Sequence, residues 1–201
     1  MKNNTLVFAT ANKNKIYEIQ RLIPENIKIL SLSDINCTEE IPETQPTIEG
    51  NASQKAFYVY NKYHINCFAD DTGLEVEALD GRPGVLSARY AGGNKNSDEN
   101  MNKILAELQG VKNRKARFKT VISLVINGNE IQFEGIVNGT ILTEKHGTSG
   151  FGYDPVFAPD ISDSELSRQP QSFAEMDLTE KNKISHRALA VNKLVEYLNR
   201  I

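Results

Sequence analysis

Asp70 and Asp71 are adjacent carboxylates, and they carry the first chemistry legible in the chain. They follow the short apolar run Asn66-Cys67-Phe68-Ala69 and precede Thr72 and Gly73. Carboxylates at a strand end, with a hydroxyl and a turn glycine behind them, suit Mg²⁺ held near a phosphate. Hard cations take oxygen ligands, and Mg²⁺ commonly uses one or two carboxylates together with phosphate and water. Taken alone, the same residues also make an ordinary polar turn. A second set, Thr10-Ala11-Asn12-Lys13-Asn14-Lys15, stands between the β-prone run 5–9 and a helical pattern. Backbone N–H groups at a helix start attract anions, and Thr10, Asn12, Lys13 and Lys15 add donors and positive charge. This turn lacks the glycines of a Walker or dinucleotide-binding loop. It reads equally as an Asn-capped helix with exposed lysines.

Two further sets lie towards the end of the chain. In His146-Gly147-Thr148-Ser149-Gly150-Phe151-Gly152-Tyr153-Asp154-Pro155, glycines around two aromatic rings leave room for a flat ligand to stack. The alternative is a Gly-rich loop with Phe151 turned into the core. Lys181, Ser185, His186 and Arg187 fall within seven positions at the start of the last helical pattern, a cluster suited to an anion or a base. A lone histidine at a helix start is otherwise a surface residue. The acidic, proline-containing segment 34–46 carries Glu39, Glu40 and Glu43 and reads as a surface loop able to supply a second metal carboxylate.

The elements that must position these groups follow from periodicity and punctuation. A strand at 5–9 precedes a helix with Ile16, Ile19, Leu22 and Ile23 on one face, and a strand at 27–32 pairs beside the first. A helix begins at Thr47. Its Ala52 and Ala56 pack closely on the sheet, while Asn51 and Lys55, four apart, point the same way and read as a solvated face. Ser97 is the expected cap of the next helix and Gly110 its stop. Segments 116–127 and 130–141 flank Asn127-Gly128, a strong hairpin signal, so an antiparallel part joins a parallel part in one mixed sheet. Residues 160–171 read as an exposed loop. A short helix and then a longer one close the chain, with Ile184, Leu189, Val191, Leu194, Val195 and Leu198 as the buried stripe.

Bulk composition narrows the function classes. A chain of 201 residues with 39% hydrophobic and 24% charged residues is that of a soluble globular protein with one sizeable core. A formal net charge of −3 offers no basic surface for nucleic acid and no reason to expect a membrane partner. Cys37 and Cys67 lie 30 residues apart, outside any zinc spacing or disulfide framework, and read as free thiols in a reducing compartment. No apolar run approaches the roughly 18 residues of a membrane span, and the N-terminus is no signal peptide. A cytoplasmic protein is expected.

Together these stretches resemble a known family. FATANKNK, ETxxTxxxNA (43–52), ADDTGLEVEALxGRPGVLSARYAG, GFGYDPVF and SFAEMxxxxKNxISHRALA are similar, in order and spacing, to the inosine triphosphate pyrophosphatase family. Thr72 stands where many members have Ser, and Ala11 where many have Gly. The resemblance implies an elongated α/β fold with a mixed, twisted sheet flanked by helices, formed as one domain of two lobes with a cleft between them, and a homodimer. It implies Mg²⁺-dependent hydrolysis of deaminated purine nucleoside triphosphates (ITP, dITP, XTP) to monophosphate and pyrophosphate. The family's phosphate turn falls on residues 10–15, its catalytic and metal-binding acid on Asp71, and a substrate hydroxyl on Thr72. The nucleoside loop falls on Phe151, Gly152, Tyr153 and Asp154, and the base-side cations on Lys181, His186 and Arg187. Glu43 matches an acidic position near the metal. A nucleotide-binding module without catalysis and a phosphatase of another substrate class remain the rivals, separated by the product released.

Overall fold

The computed structural model describes residues 4–160 and 170–200, so most of the loop expected at 160–171 lies outside the described residues. In chain order the first elements are β1 (Asn4–Phe8), α1 (Lys13–Leu22), β2 (Ile27–Leu30), α2 (Ile48–Tyr63), β3 (Cys67–Val76) and β4 (Pro83–Gly84). Then come α3 (Ser97–Glu107), β5 (Lys115–Ile126), β6 (Asn129–Ile141), β7 (Phe157–Pro159), α4 (Leu178–Ile184) and α5 (His186–Leu198). The strands form one mixed sheet in the order β2-β1-β3-β5-β6-β7, with β4 paired to β3.

The chain divides into two compact units. The first comprises Met1–Asp71, Thr120–Gly135 and Arg187–Ile201, and the second Thr72–Lys119 and Ile136–His186. One boundary therefore falls between Asp71 and Thr72, and another between His186 and Arg187.

In the first unit, β1 pairs in parallel with β2 (Asn4↔Ile27 to Val7↔Leu30) and with β3 (Val7↔Cys67, Phe8↔Phe68). Continuous apolar strands of this kind are covered on both faces, and strand alternation sorts their side chains. Leu6, Phe8 and Phe68 join Ile19 of α1, Ile23 just past its end, and Val191, Leu194 and Leu198 of α5 in one apolar cluster. Val7, Ala9, Cys67 and Ala69 join Ala56 and Val59 of α2 in another. The rings of Phe8 and Phe68 stack at 4.6 Å, an aromatic contact worth about 0.5–1.5 kcal/mol. Asn127 and Gly128 both have positive φ (51° and 82°), as a two-residue type I′ hairpin requires, and they join β5 to β6.

In the second unit, β6 pairs antiparallel with β7 through Gly139↔Pro159, Thr140↔Ala158 and Ile141↔Phe157. A side chain at Gly139 would run into the Ala158 carbonyl and the Phe157 ring, so only glycine fits there. Phe157 and Phe173 (5.3 Å) and Phe118 and Phe157 (4.7 Å) build an aromatic core, against which His186 stacks on Phe118 at 4.5 Å.

Three local expectations are corrected. The second strand stops at Leu30, because the Asp34 carboxylate accepts from both the Ser31 N–H and its hydroxyl (2.7 Å each) and turns the chain. The cap of α3 is Asn96 rather than Ser97, for the Asn96 Oδ1 accepts from the N–H of Asp98 (2.9 Å) and Glu99 (3.3 Å). That helix closes at Leu108, and Gly110 turns the chain just beyond it with φ 75°.

Candidate active site

The turn expected at Asp70-Asp71-Thr72-Gly73 is a strand. Instead of ending at Ala69, β3 runs through all four residues to Val76, and its far end pairs with β4 (Leu74↔Gly84, Glu75↔Pro83). Successive side chains of a strand point to opposite faces. Asp70 therefore follows Phe68 to the face covered by α1 and α5, and Asp71 follows Ala69 to the face covered by α2.

Asp71 meets two residues one turn apart on α2. Lys55 Nζ lies 3.0 Å from its Oδ1, and the Asn51 amide donates to its Oδ2 at 3.4 Å. Lys55 Nζ also donates to Glu43 Oε1 at 2.7 Å, so one ammonium joins the loop carboxylate to the strand carboxylate. Asn51 and Lys55 are not a solvated face: they are 2% and 5% exposed. Their spacing, with the sheet-packed Ala52 and Ala56 alongside, was the signal that this face turns inward. Burial disfavours the Lys55 charge, but Asp71, Asp70 and Glu43 outweigh it and raise its pKa. Burial raises the Asp71 pKa, and Lys55 and Lys15 offset that only in part. A carboxylate with raised proton affinity is suited to accept a proton from water.

On the opposite face, Lys15 Nζ pairs with Asp70 Oδ1 at 3.0 Å and Arg187 Nε with Asp70 Oδ2 at 3.4 Å. Arg187 Nη1 also donates to Glu18 Oε2, one turn beyond Lys15 on α1. Glu18, which the sequence reading left out, is thus a buried partner of a cation it singled out. Burial alone would raise the Asp70 pKa, yet Lys15, Arg187 and Lys55 together hold it at about 2. That is below the ordinary aspartate value of about 3.9. The sign follows from linkage: the stabilisation is complete above the unfolded-state value and is lost as pH falls through that value towards 2. Asp70 should therefore contribute about 2–3 kcal/mol at neutral pH. In denaturant titrations from pH 6 down to 2, the wild type should lose this share, and Asp70→Asn should show a shallower acid slope.

The amino-terminal turn is shorter than expected, since α1 already begins at Lys13. Asn12 Oδ1 accepts from the N–H of Asn14 (3.0 Å) and Lys15 (3.3 Å), and Thr10 Oγ1 accepts from the Asn12 N–H (3.2 Å). Ala11, Asn12, Lys13 and Asn14 are exposed, while Thr10 and Lys15 are half-buried. Of the candidate residues, this unit joins Glu43 and Asp71 through Lys55, and Lys15 and Arg187 through Asp70, in two sets of ion pairs on opposite faces of β3.

The second unit holds the other candidates. Lys181 Nζ and the Phe151 N–H both meet Asp154 Oδ2 at 2.8 Å, and Lys181 lies 5.3 Å from the Phe151 ring centroid. Gly150, at φ 75°, lets that carboxylate approach closely where a side chain would collide with it. Gly152 turns the loop at φ 67°. Tyr153 is buried, and its hydroxyl donates to the Ser87 carbonyl at 2.8 Å, so it braces the loop; Phe151, half-buried, is the more open ring. The hydroxyl of Ser87 in turn accepts from the Leu74 N–H at 2.8 Å and donates to the Gly84 carbonyl at 2.6 Å. His186 is no surface residue, being 4% exposed and stacked on Phe118. Thr72 is half-buried on β3.

Among the described residues, no group of three or more His, Cys, Asp or Glu side chains is arranged to hold a metal ion. Asp71 and Glu43 nevertheless converge on one cation, Lys55. Two carboxylates fit an Mg²⁺ whose remaining ligands are phosphate oxygens and water, rather than an all-protein cage.

The Ham1 family profile matches residues 6–197. A Flavobacterium johnsoniae protein named dITP/XTP pyrophosphatase is 58% identical over 193 residues, covering 96% of this chain and 97% of that one. A Porphyromonas gingivalis protein of the same name is 50% identical over 194 residues, 96% of each chain. The solved structure of a HAM1 protein from Coxiella burnetii superposes with a TM-score of 0.86 at 34% identity, over 98% of this chain and 99% of that one.

Proposed function

As the chain belongs to the Ham1 family, we propose that it hydrolyses deaminated purine nucleoside triphosphates (ITP, dITP and XTP) to the monophosphate and pyrophosphate, keeping them out of DNA and RNA. The observation that carries this reading is Asp71, buried on β3 with Lys55 linking it to Glu43. Asp71 orients a water molecule and takes its proton as the water oxygen bonds to the α-phosphorus and the bond to the departing pyrophosphate breaks. Lys15, Lys55 and the exposed Lys13 meet the charge that grows on the phosphate oxygens, with Thr10, Ala11, Asn12, Asn14 and Thr72 as further phosphate-side contacts. Placed charge of this kind supplies most of the catalysis in phosphoryl transfer. Asp71 and Glu43 would hold Mg²⁺, which when bound adds positive charge at the phosphates.

Phe151 stacks on the base, and Gly152, Tyr153 and Asp154 shape the loop beside it. Lys181, His186 and Arg187 read the 6-keto oxygen of hypoxanthine or xanthine. Adenine presents an amino donor there, and each buried donor left without an acceptor costs about 1–3 kcal/mol. Two such mismatches discriminate by roughly a hundredfold or more.

The reading further takes the active form as a homodimer in the cytoplasm, where the buried thiols Cys37 and Cys67 stay reduced. No helix among the described residues is long and apolar enough to cross a membrane, and the net charge of −3 argues against a nucleic-acid partner. Steady-state rates with ITP, dITP, XTP, GTP and ATP, with pyrophosphate detected directly, test the function. ITP and XTP should exceed ATP in kcat/KM by about a hundredfold. Release of orthophosphate, or equal rates with ATP, would overturn it.

A further inference from the structure

We propose that Asn51 and Gln54 are positioning residues that set Asp71 and Glu43 against each other, with α2 as the spacer between loop and strand; this rests on the function proposed above. Three consecutive loop residues meet three residues of α2 in reverse order. Glu43 Oε1 accepts from Lys55 Nζ at 2.7 Å. The Thr44 N–H donates to Gln54 Oε1, and Gln54 Nε2 donates back to Thr44 Oγ1, both at 2.9 Å. The Gln45 N–H donates to Asn51 Oδ1 at 2.9 Å.

This last bond fixes which way the Asn51 amide points. With Oδ1 taken by a backbone N–H, Nδ2 must face the other way, and there it donates to Asp71 Oδ2 at 3.4 Å. Asp71 is thus held at both oxygens by residues one helical turn apart, Asn51 and Lys55. The loop lies flush on the helix start, since a side chain at Gly50 would come within 2.8 Å of Gln45 Cβ. Its other end is tied down where Glu39 accepts from Lys62 Nζ (2.5 Å) and the Tyr63 hydroxyl (3.0 Å). A sheet-facing position needing only bulk would carry alanine, as Ala52 and Ala56 do. A buried amide is tolerated because both its ends are used.

Asn51→Asp keeps the acceptor for Gln45 but turns the donor facing Asp71 into a carboxylate oxygen. Its kcat with ITP should fall roughly a hundredfold, as expected for a misplaced reacting group, with KM changed less than about threefold. Hydrogen exchange at the Thr44 and Gln45 amides should stay as slow as in the wild type. Gln54→Ala, at a half-buried position, should speed exchange at the Thr44 amide about tenfold or more and lower kcat by a similar factor, while Gln54→Glu, which keeps the acceptor, restores both. Should Asn51→Asp fail to fold, Gln54→Ala carries the test. With an active wild type, a Gln54→Ala enzyme of unchanged kcat and loop exchange, or an Asn51→Asp enzyme of normal kcat, overturns the positioning role alone. A wild type that releases no pyrophosphate from ITP overturns the parent reading instead.

Discussion

Asp71→Asn should lower kcat for pyrophosphate release from ITP by about a thousandfold, within the range general acid–base catalysis contributes. The fold should survive, because asparagine has the same shape and Lys55 keeps its bond to Glu43. Two physical changes produce the loss. The proton acceptor disappears from a site where burial had raised its affinity. The donor set also ceases to match: Lys55 and Asn51 address both carboxylate oxygens, and an amide can accept at only one of them. The wild-type kcat profile should show an acid limb from protonation of this carboxylate, and the mutant's residual rate should lack that limb. Circular dichroism and a thermal melt establish the intact fold. Near-normal turnover by the mutant would remove Asp71 from the chemistry.

What could be read in the sequence was what neighbours in the chain decide. The apolar run of β1, the helical spacing of Ile16, Ile19 and Leu22 in α1, and the Asn127-Gly128 turn each specify themselves within a few residues, and each formed as expected. The mixed sheet followed from them. Features set by distant partners were misread. Asp-Asp-Thr-Gly has turn composition, but pairing with β4 keeps it extended. A four-residue spacing shows that Asn51 and Lys55 share a face, not that Asp71, on another element, receives it. The local sequence at His186 does not reveal that Phe118, on β5, covers its ring. Glu18 carried no local signal at all, since its partner Arg187 lies 169 positions away. The motifs located the charged residues, but their pairing depends on packing.

Arg187 provides the largest expected effect on stability. Its guanidinium is 2% exposed and meets Asp70 Oδ2 through Nε (3.4 Å) and Glu18 through Nη1. Arg187→Met fills much of the same space but leaves two buried carboxylates with one cation fewer. Breaking a buried pair by removing one member costs about 3–5 kcal/mol, because the remaining charge loses compensation in a medium of low polarity. For a chain of 201 residues, where each kcal/mol moves Tm by about 2–4 °C, the mutant should melt roughly 6–20 °C below the wild type. Arg187→Lys should recover only part of this, since an ammonium cannot reproduce the fork that addresses two carboxylates at once. Glu18→Gln should cost less alone, and combining it with Arg187→Met should add little, leaving a coupling of about 1–3 kcal/mol in a double-mutant cycle. Additive losses would mean that Glu18 and Arg187 stabilise the first unit independently. The Asp70 contact would then hold the arginine without help from α1.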